Sequence, residues 1–139
     1  MWSSKTLPDK VLRLLSPADR RALGKAGLTA DEALQSARVK SEKDLQNLIE
    51  AYFRLRGIVA FRSRMDKKTR MRLGTPDFLL ALRGEPVAIE AKLPGEPLSD
   101  AQVTVHEAMV VEPNGWTYLT VCSLDAVKAF VHDKLDLIG

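Results

Sequence analysis

Asp77, Glu90 and Lys92 are the side chains of this 139-residue chain whose types and spacing suit a reaction. Glu90 and Lys92 are two residues apart in Val87-Ala88-Ile89-Glu90-Ala91-Lys92, which reads as a strand. Side chains alternate along a strand, so Glu90 and Lys92 share a face and Ala91 turns to the other. Asp77 stands at the start of a second run, Phe78-Leu79-Leu80-Ala81-Leu82, joined to the first through a turn at Arg83-Gly84-Glu85-Pro86. Two carboxylates able to converge on a hard cation, with an ammonium beside them, suit metal-dependent hydrolysis of a phosphodiester. Singly these features are ordinary: Pro-Asp is a common turn dipeptide, and Glu-x-Lys on a strand is most often a solvated pair. Their order on successive elements is what carries the reading.

The charge distribution agrees with it. Net charge is only +3, yet residues 54–72 hold eight basic side chains (Arg54, Arg56, Arg62, Arg64, Lys67, Lys68, Arg70 and Arg72) against one acid, Asp66. Residues 73–139 reverse the balance, with four basic groups and ten acids. A basic belt beside an acidic pocket holds backbone phosphates where a metal can act; the plainer alternative is a solvated loop. With 45% hydrophobic and 28% charged residues, the composition is that of a soluble globular chain. The length suits one domain. One cysteine, Cys122, excludes an internal disulfide and a multi-cysteine zinc site, and its apolar neighbours predict a buried structural thiol. Without an N-terminal apolar run or 18 consecutive apolar residues, neither export nor membrane insertion is expected.

The elements that must position these residues follow from periodicity and caps. Residues 1–40 read as an extension of short helices: one around Val11 to Leu15, one from Pro17 after the N-cap Ser16 and ended by Gly24 or Gly27, and one opened by the capping box Thr29-x-x-Glu32. The extension is open to three roles: dimerisation arm, DNA-contacting arm or lid. Ser41 caps the longest helix, whose apolar face is Leu45, Leu48, Ile49, Tyr52, Phe53 and Leu55, and Gly57 ends it. Ile58 to Phe61 is a strand candidate leading into the basic belt. Ser99 caps a helix from about Asp100 to Val111 with Val103, Val105, Ala108 and Met109 available for packing. Trp116 to Val121 reads as a strand, and Ser123 opens a terminal helix with Val127, Phe130, Val131 and Leu135 inward. His106 and His132 fall in helices without partners at metal-ligand spacing. The order, helices and then α-β-β-β-α-β-α, predicts an α/β chain with a mixed sheet flanked by helices on both faces.

This order, with Gly74-Thr75-Pro76-Asp77, Glu90-Ala91-Lys92 and Leu98-Ser99-x-x-Gln102, resembles the PD-(D/E)XK nuclease superfamily, and within it the virus-type replication-repair nuclease (VRR-NUC) domain. The resemblance covers roughly residues 41–131. It implies a restriction-endonuclease-like core over residues 41–139, with residues 1–40 as the helical extension. Members that stand alone are small, often phage-encoded, and resemble Holliday-junction resolvases that work as homodimers with a divalent metal; fused members act in crosslink repair or sit beside helicase domains. Carried over by position, Asp77 and Glu90 match the metal-binding carboxylates, and the Ala91 carbonyl would also lie on the metal. Lys92 matches the catalytic lysine, either as general base toward the attacking water or as a protonated group offsetting transition-state charge. Gln102, on the helix capped by Ser99, matches a polar residue that supports the site. Glu42 matches a helix glutamate that completes the metal environment, with Gln46 supporting it one turn on, and Glu50 competes for the Glu42 role. The departures are mild: Ala91 stands where valine is common, and Thr75 precedes the Pro-Asp pair.

The expectation is therefore an endodeoxyribonuclease dependent on Mg²⁺ or Mn²⁺, without an organic cofactor, cutting branched DNA such as a four-way junction. It would act as a homodimer in the cytoplasm, a bacterial host's if phage-encoded. The alternatives are a flap or nicking nuclease on the same site, and an inactive DNA-binding or regulatory module on a nuclease scaffold.

Overall fold

The computed structural model describes residues 7–23, 28–63 and 73–136. The chain divides into two compact units, Met1–Val59 and Ala60–Gly139. Among the described residues no helix is long and apolar enough to cross a membrane.

Among the described residues the first unit holds four helices: α1 (Asp9–Leu12), α2 (Pro17–Ala22), α3 (Ala30–Gln35) and α4 (Glu42–Arg56). α1 follows Pro8 without a side-chain cap, whereas the other three starts are set by side chains that satisfy first-turn N–H groups. Ser16 Oγ accepts from the Asp19 N–H, and Ser41 Oγ from the Asp44 N–H, both at 3.1 Å. Thr29 and Glu32 form a reciprocal capping box. Gly57 ends α4 in the left-handed region, φ 73°. The predicted α4 face is buried at Leu45, Leu48, Ile49, Tyr52 and Phe53, and α4 packs with α1 and α3, whose Val11, Ala33 and Leu34 are buried. Leu55 is only half-buried, while Asn47 and Ala51 join the interior. α2 stops at Ala22, ahead of Gly24 and Gly27, which lie outside the described residues.

In the second unit a four-stranded sheet runs β1 (Ala60–Arg62), β2 (Phe78–Leu82), β3 (Glu85–Ala91) and β4 (Thr117–Val121) in that spatial order. β1–β2 and β2–β3 are antiparallel; β3–β4 is parallel. The α/β class, the mixed sheet and the flanking helices are those expected. The β2–β3 connection is a two-residue hairpin in which Arg83 (φ 53°) and Gly84 (φ 83°) both take positive φ, the conformation whose twist matches paired strands. The parallel step needs a crossover, which α5 (Asp100–Val110) supplies. Phe78, Leu80, Leu82, Val87, Ile89, Ala91 and Val121 alternate onto one buried face. α6 (Leu124–Asp136) packs against β2 and β4, with Leu124, Val127 and Val131 buried and Phe130 and Leu135 half-buried.

Three expectations need correction. β1 begins at Ala60 rather than Ile58, a short edge strand whose Phe61 is 73% exposed. Cys122 is exposed: Val121 is the last inward residue of β4, and the alternation turns its successor to solvent. α5 buries none of its residues; Val103 and Ala108 are exposed, Val105 and Met109 half-buried. Its half-buried stripe, Ala101, Gln102, Val105, His106 and Met109, mixes apolar and polar residues.

Gly74 fixes how the loop before β2 approaches α5. Its φ is +88°, and a Cβ there would lie 2.6 Å from the Ala101 carbonyl carbon, inside any real contact. Gly95 (φ +84°) has open space around it. Gly74→Ala is expected to cost about 2–4 kcal/mol in urea unfolding, left-handed strain plus overpacking, and Gly95→Ala about 1–2 kcal/mol from strain alone. Equal losses at the two positions would contradict the close packing of this loop on α5.

Candidate functional site

The β2–β3 register pairs Phe78 with Ile89, so one step outward sets Asp77 opposite Glu90. The chain hydrogen-bonds across that point: the Ala91 N–H donates to Asp77 Oδ2 at 2.8 Å. On the other side of Asp77, its carbonyl accepts from the Ser63 N–H at 2.8 Å, extending the β1–β2 ladder. Asp77 is thus fixed by main chain on both flanks. N–H and C=O of one strand residue point toward the same neighbour. The Ala91 carbonyl therefore faces the Asp77 side, while the Lys92 N–H turns the other way to Val121 O at 2.9 Å.

Glu90 is 2% exposed, the one buried acid among the described residues. A carboxylate so placed is costly unless it is hydrogen-bonded or balanced by positive charge. Gln102 supplies one bond, its Nε2 donating to Glu90 Oε2 at 3.0 Å. The same side chain closes the cap of α5: Gln102 Oε1 accepts from the Ser99 N–H at 2.8 Å, and Ser99 Oγ accepts from the Gln102 N–H at 3.2 Å. Because the amide oxygen is committed to the cap, the amide NH₂ is left to face the carboxylate. The Leu98-Ser99-x-x-Gln102 motif is therefore a helix start and a Glu90 donor in one device.

One turn along α5, His106 stacks on Tyr118 of β4, with ring centroids 4.2 Å apart and planes 14° from parallel. Glu90 pairs with Thr120 in the parallel register, so Tyr118 lies on the Glu90 face. Its hydroxyl is buried with no hydrogen-bond partner among the described residues. Burial first, then the charges of Glu90 and Asp77, push the phenol well above the ordinary tyrosine value, which keeps it protonated. Sequence reasoning passed over this tyrosine. Two signals pointed to it: the four-residue step from Gln102 to His106 on one helix face, and the place of Tyr118 two residues before Thr120.

The structure brings together Asp77, Glu90, Ala91, Gln102 and Ser99, with Lys92 half-buried one residue beyond β3 on the Glu90 side by alternation. Glu42, Gln46 and Glu50 form one half-buried row of α4 in the helical unit, where Glu50 Oε1 meets Lys10 Nζ at 2.7 Å. Arg54 and Arg56 are exposed in the last turn of α4, a place that basic residues also favour for the helix dipole. Arg62 is half-buried in β1. Arg64, Lys67, Lys68, Arg70 and Arg72 lie outside the described residues.

Among the described residues no three of His, Cys, Asp and Glu converge as a ligand cluster. The donors in place at β2–β3 are two carboxylates and a peptide carbonyl, all hard oxygen. That set fits Mg²⁺ or Mn²⁺, which keep several waters and take one or two protein carboxylates, and does not fit zinc. No known protein family, characterised protein or solved structure matches the chain.

Replacing Gln102 separates its two tasks. Ser99→Ala removes only the cap and is expected to cost about 1 kcal/mol. Gln102→Met also withdraws the donor from buried Glu90, for a total of about 2–4 kcal/mol. Urea unfolding of the two variants checks this, and equal losses would mean that the Glu90 contact contributes nothing.

Proposed function

We propose that this chain is a divalent-metal-dependent endodeoxyribonuclease of the PD-(D/E)XK type, resembling VRR-NUC domains, that hydrolyses phosphodiester bonds in branched DNA. Four-way junctions are the favoured substrate and a homodimer the working form. The observation that carries this reading is the pairing of Asp77 and Glu90 on adjacent strands, tied by the Ala91 N–H bond to Asp77 and supported on Glu90 by Gln102. The α/β frame and the basic residues of the 54–72 segment are consistent with it.

In this reading Asp77, Glu90 and the Ala91 carbonyl would hold Mg²⁺ or Mn²⁺. A bound ion of this kind polarises the phosphate and makes an adjacent water more acidic. Lys92 serves that water: it takes up the proton released as the oxygen attacks phosphorus, or remains protonated and offsets the added negative charge. The new P–O bond forms as the bond to the leaving sugar oxygen breaks, and that oxygen acquires a proton. Gln102 keeps Glu90 oriented, and the half-buried Tyr118–His106 stack walls the Glu90 side of the sheet.

The test is cleavage of labelled four-way junction, 5′ flap, splayed arm and linear duplex with Mg²⁺, Mn²⁺ or EDTA. Asp77→Asn is expected to abolish cleavage while leaving DNA binding. Lys92→Ala should lower turnover by about 10²-fold or more with little change in metal affinity. Paired symmetric nicks in the junction support a dimeric resolvase; flap cleavage keeps the chemistry and changes the substrate. Tight binding with no cleavage of any substrate would favour a binding module on a nuclease scaffold. Full turnover by Asp77→Asn would overturn the site.

A further inference from the structure

The helical unit carries a second feature that the catalytic reading does not use. A cleft of about 490 Å³ opens where the end of α1 and the turn into α2 meet the segment leading to α4. Its floor is Leu14 and Leu15, both buried, and the Arg38 N–H bond to Leu14 O, 2.9 Å, holds the two walls together. Arg13, Arg38 and Lys40 line it; all three are exposed, and none has a carboxylate partner among the described residues. The one acid in the lining, Asp44, is occupied as a capping group, its Oδ2 accepting from the Lys40 N–H at 3.0 Å. A smaller hollow of about 300 Å³ shares Pro17 with the cleft and adds Arg20 and Arg21. Asp19, on the same helix, accepts from the Ser36 hydroxyl at 2.8 Å.

We infer that this cleft is a phosphate-binding surface that grips a nucleic-acid backbone apart from the carboxylate site. Arg13, Arg38 and Lys40 around the cleft, with Arg20 and Arg21 at the adjoining hollow, outnumber Asp19 and Asp44 and form a positive site for a polyanion. Four of the five are arginines, whose planar fork matches phosphate oxygens bidentately. Among the described residues, the large exposed apolar ones, Val59, Phe61, Leu73, Val103, Val110 and Val111, all lie outside residues 7–44, so the described lining of the cleft offers no apolar anchor for a membrane surface. The choice of nucleic acid over another polyanion rests on the nuclease reading, and the site gives residues 1–40 the role of a DNA-contacting arm.

The experiment is equilibrium binding of the full chain to a labelled short duplex and a labelled four-way junction. It is done in EDTA, by fluorescence anisotropy, across a range of salt concentrations. The triple variant Arg13→Gln/Arg38→Gln/Lys40→Gln is compared with wild type and with Arg83→Gln, an exposed cation of the hairpin; circular dichroism melts check that each variant is folded. The triple variant is expected to bind at least about tenfold more weakly and to lower the slope of log affinity against log salt by about two to three, while Arg83→Gln leaves both unchanged. Unchanged affinity and slope in the triple variant would overturn the inference, as would failure of wild type to bind either DNA at low salt. Preferential binding of polyglutamate over duplex at matched charge would overturn it in favour of an acidic peptide. Because cleavage plays no part, a catalytically inert protein that passes this test keeps the surface and loses only the nuclease reading.

Discussion

The register of β2 against β3 is the constraint on which the rest of the site depends. Side chains alternate with a period of two, so a slip of one residue would turn Glu90 onto the apolar face and Ile89 into its place. Two local features hold the register. At one end the Arg83-Gly84 hairpin permits only a two-residue connection with both residues at positive φ. At the other, the Ala91 N–H bond to Asp77 Oδ2 extends the ladder past the last paired residues, with a side chain standing in for a main-chain acceptor. Asp77 thus does structural work in keeping its own position opposite Glu90, and changes there act on geometry as well as charge.

Around this pair the sequence motifs are mechanically joined. The loop Gly74-Thr75-Pro76-Asp77 runs against the first turn of α5 at Ala101, a contact only glycine permits. The same turn carries Gln102, whose amide oxygen closes the helix cap while its NH₂ bonds Glu90. Two motifs about twenty-five residues apart in the chain therefore meet at one place, each restricting the other. A buried carboxylate supported in this way costs folding energy. Such a cost is retained where a charged group is needed for binding a cation or for catalysis.

Much of this was legible because short-range rules governed it. Ser41, Thr29 and Ser99 announced helix starts through their caps, Gly57 a helix end, and Glu90-x-Lys92 a shared strand face. What escaped depended on tertiary placement. The alternation that buried Val121 exposed Cys122, since β4 ends there, and apolar neighbours gave no hint of it. Periodicity makes Val103, Val105, Ala108 and Met109 of α5 available for packing, yet Val103 and Ala108 face solvent, while Gln102 and His106 share the half-buried stripe with Val105 and Met109. Tyr118 was missed because its part comes from the parallel pairing of β4 with β3, which joins residues about thirty apart. The charge count of residues 1–40 was visible in the sequence, but the cleft that gathers Arg13, Arg38 and Lys40 arises from the chain folding back at Leu14.

The most direct test of the carboxylate pair is Mn²⁺ binding by the wild-type chain, followed through the electron paramagnetic resonance signal of the free ion. Asp77→Asn and Glu90→Gln are titrated alongside. The pairing of these two acids predicts a site in the wild type whose affinity falls at least about tenfold in each variant, with circular dichroism unchanged. Wild type that binds no Mn²⁺, or variants that bind as tightly as wild type, would contradict it.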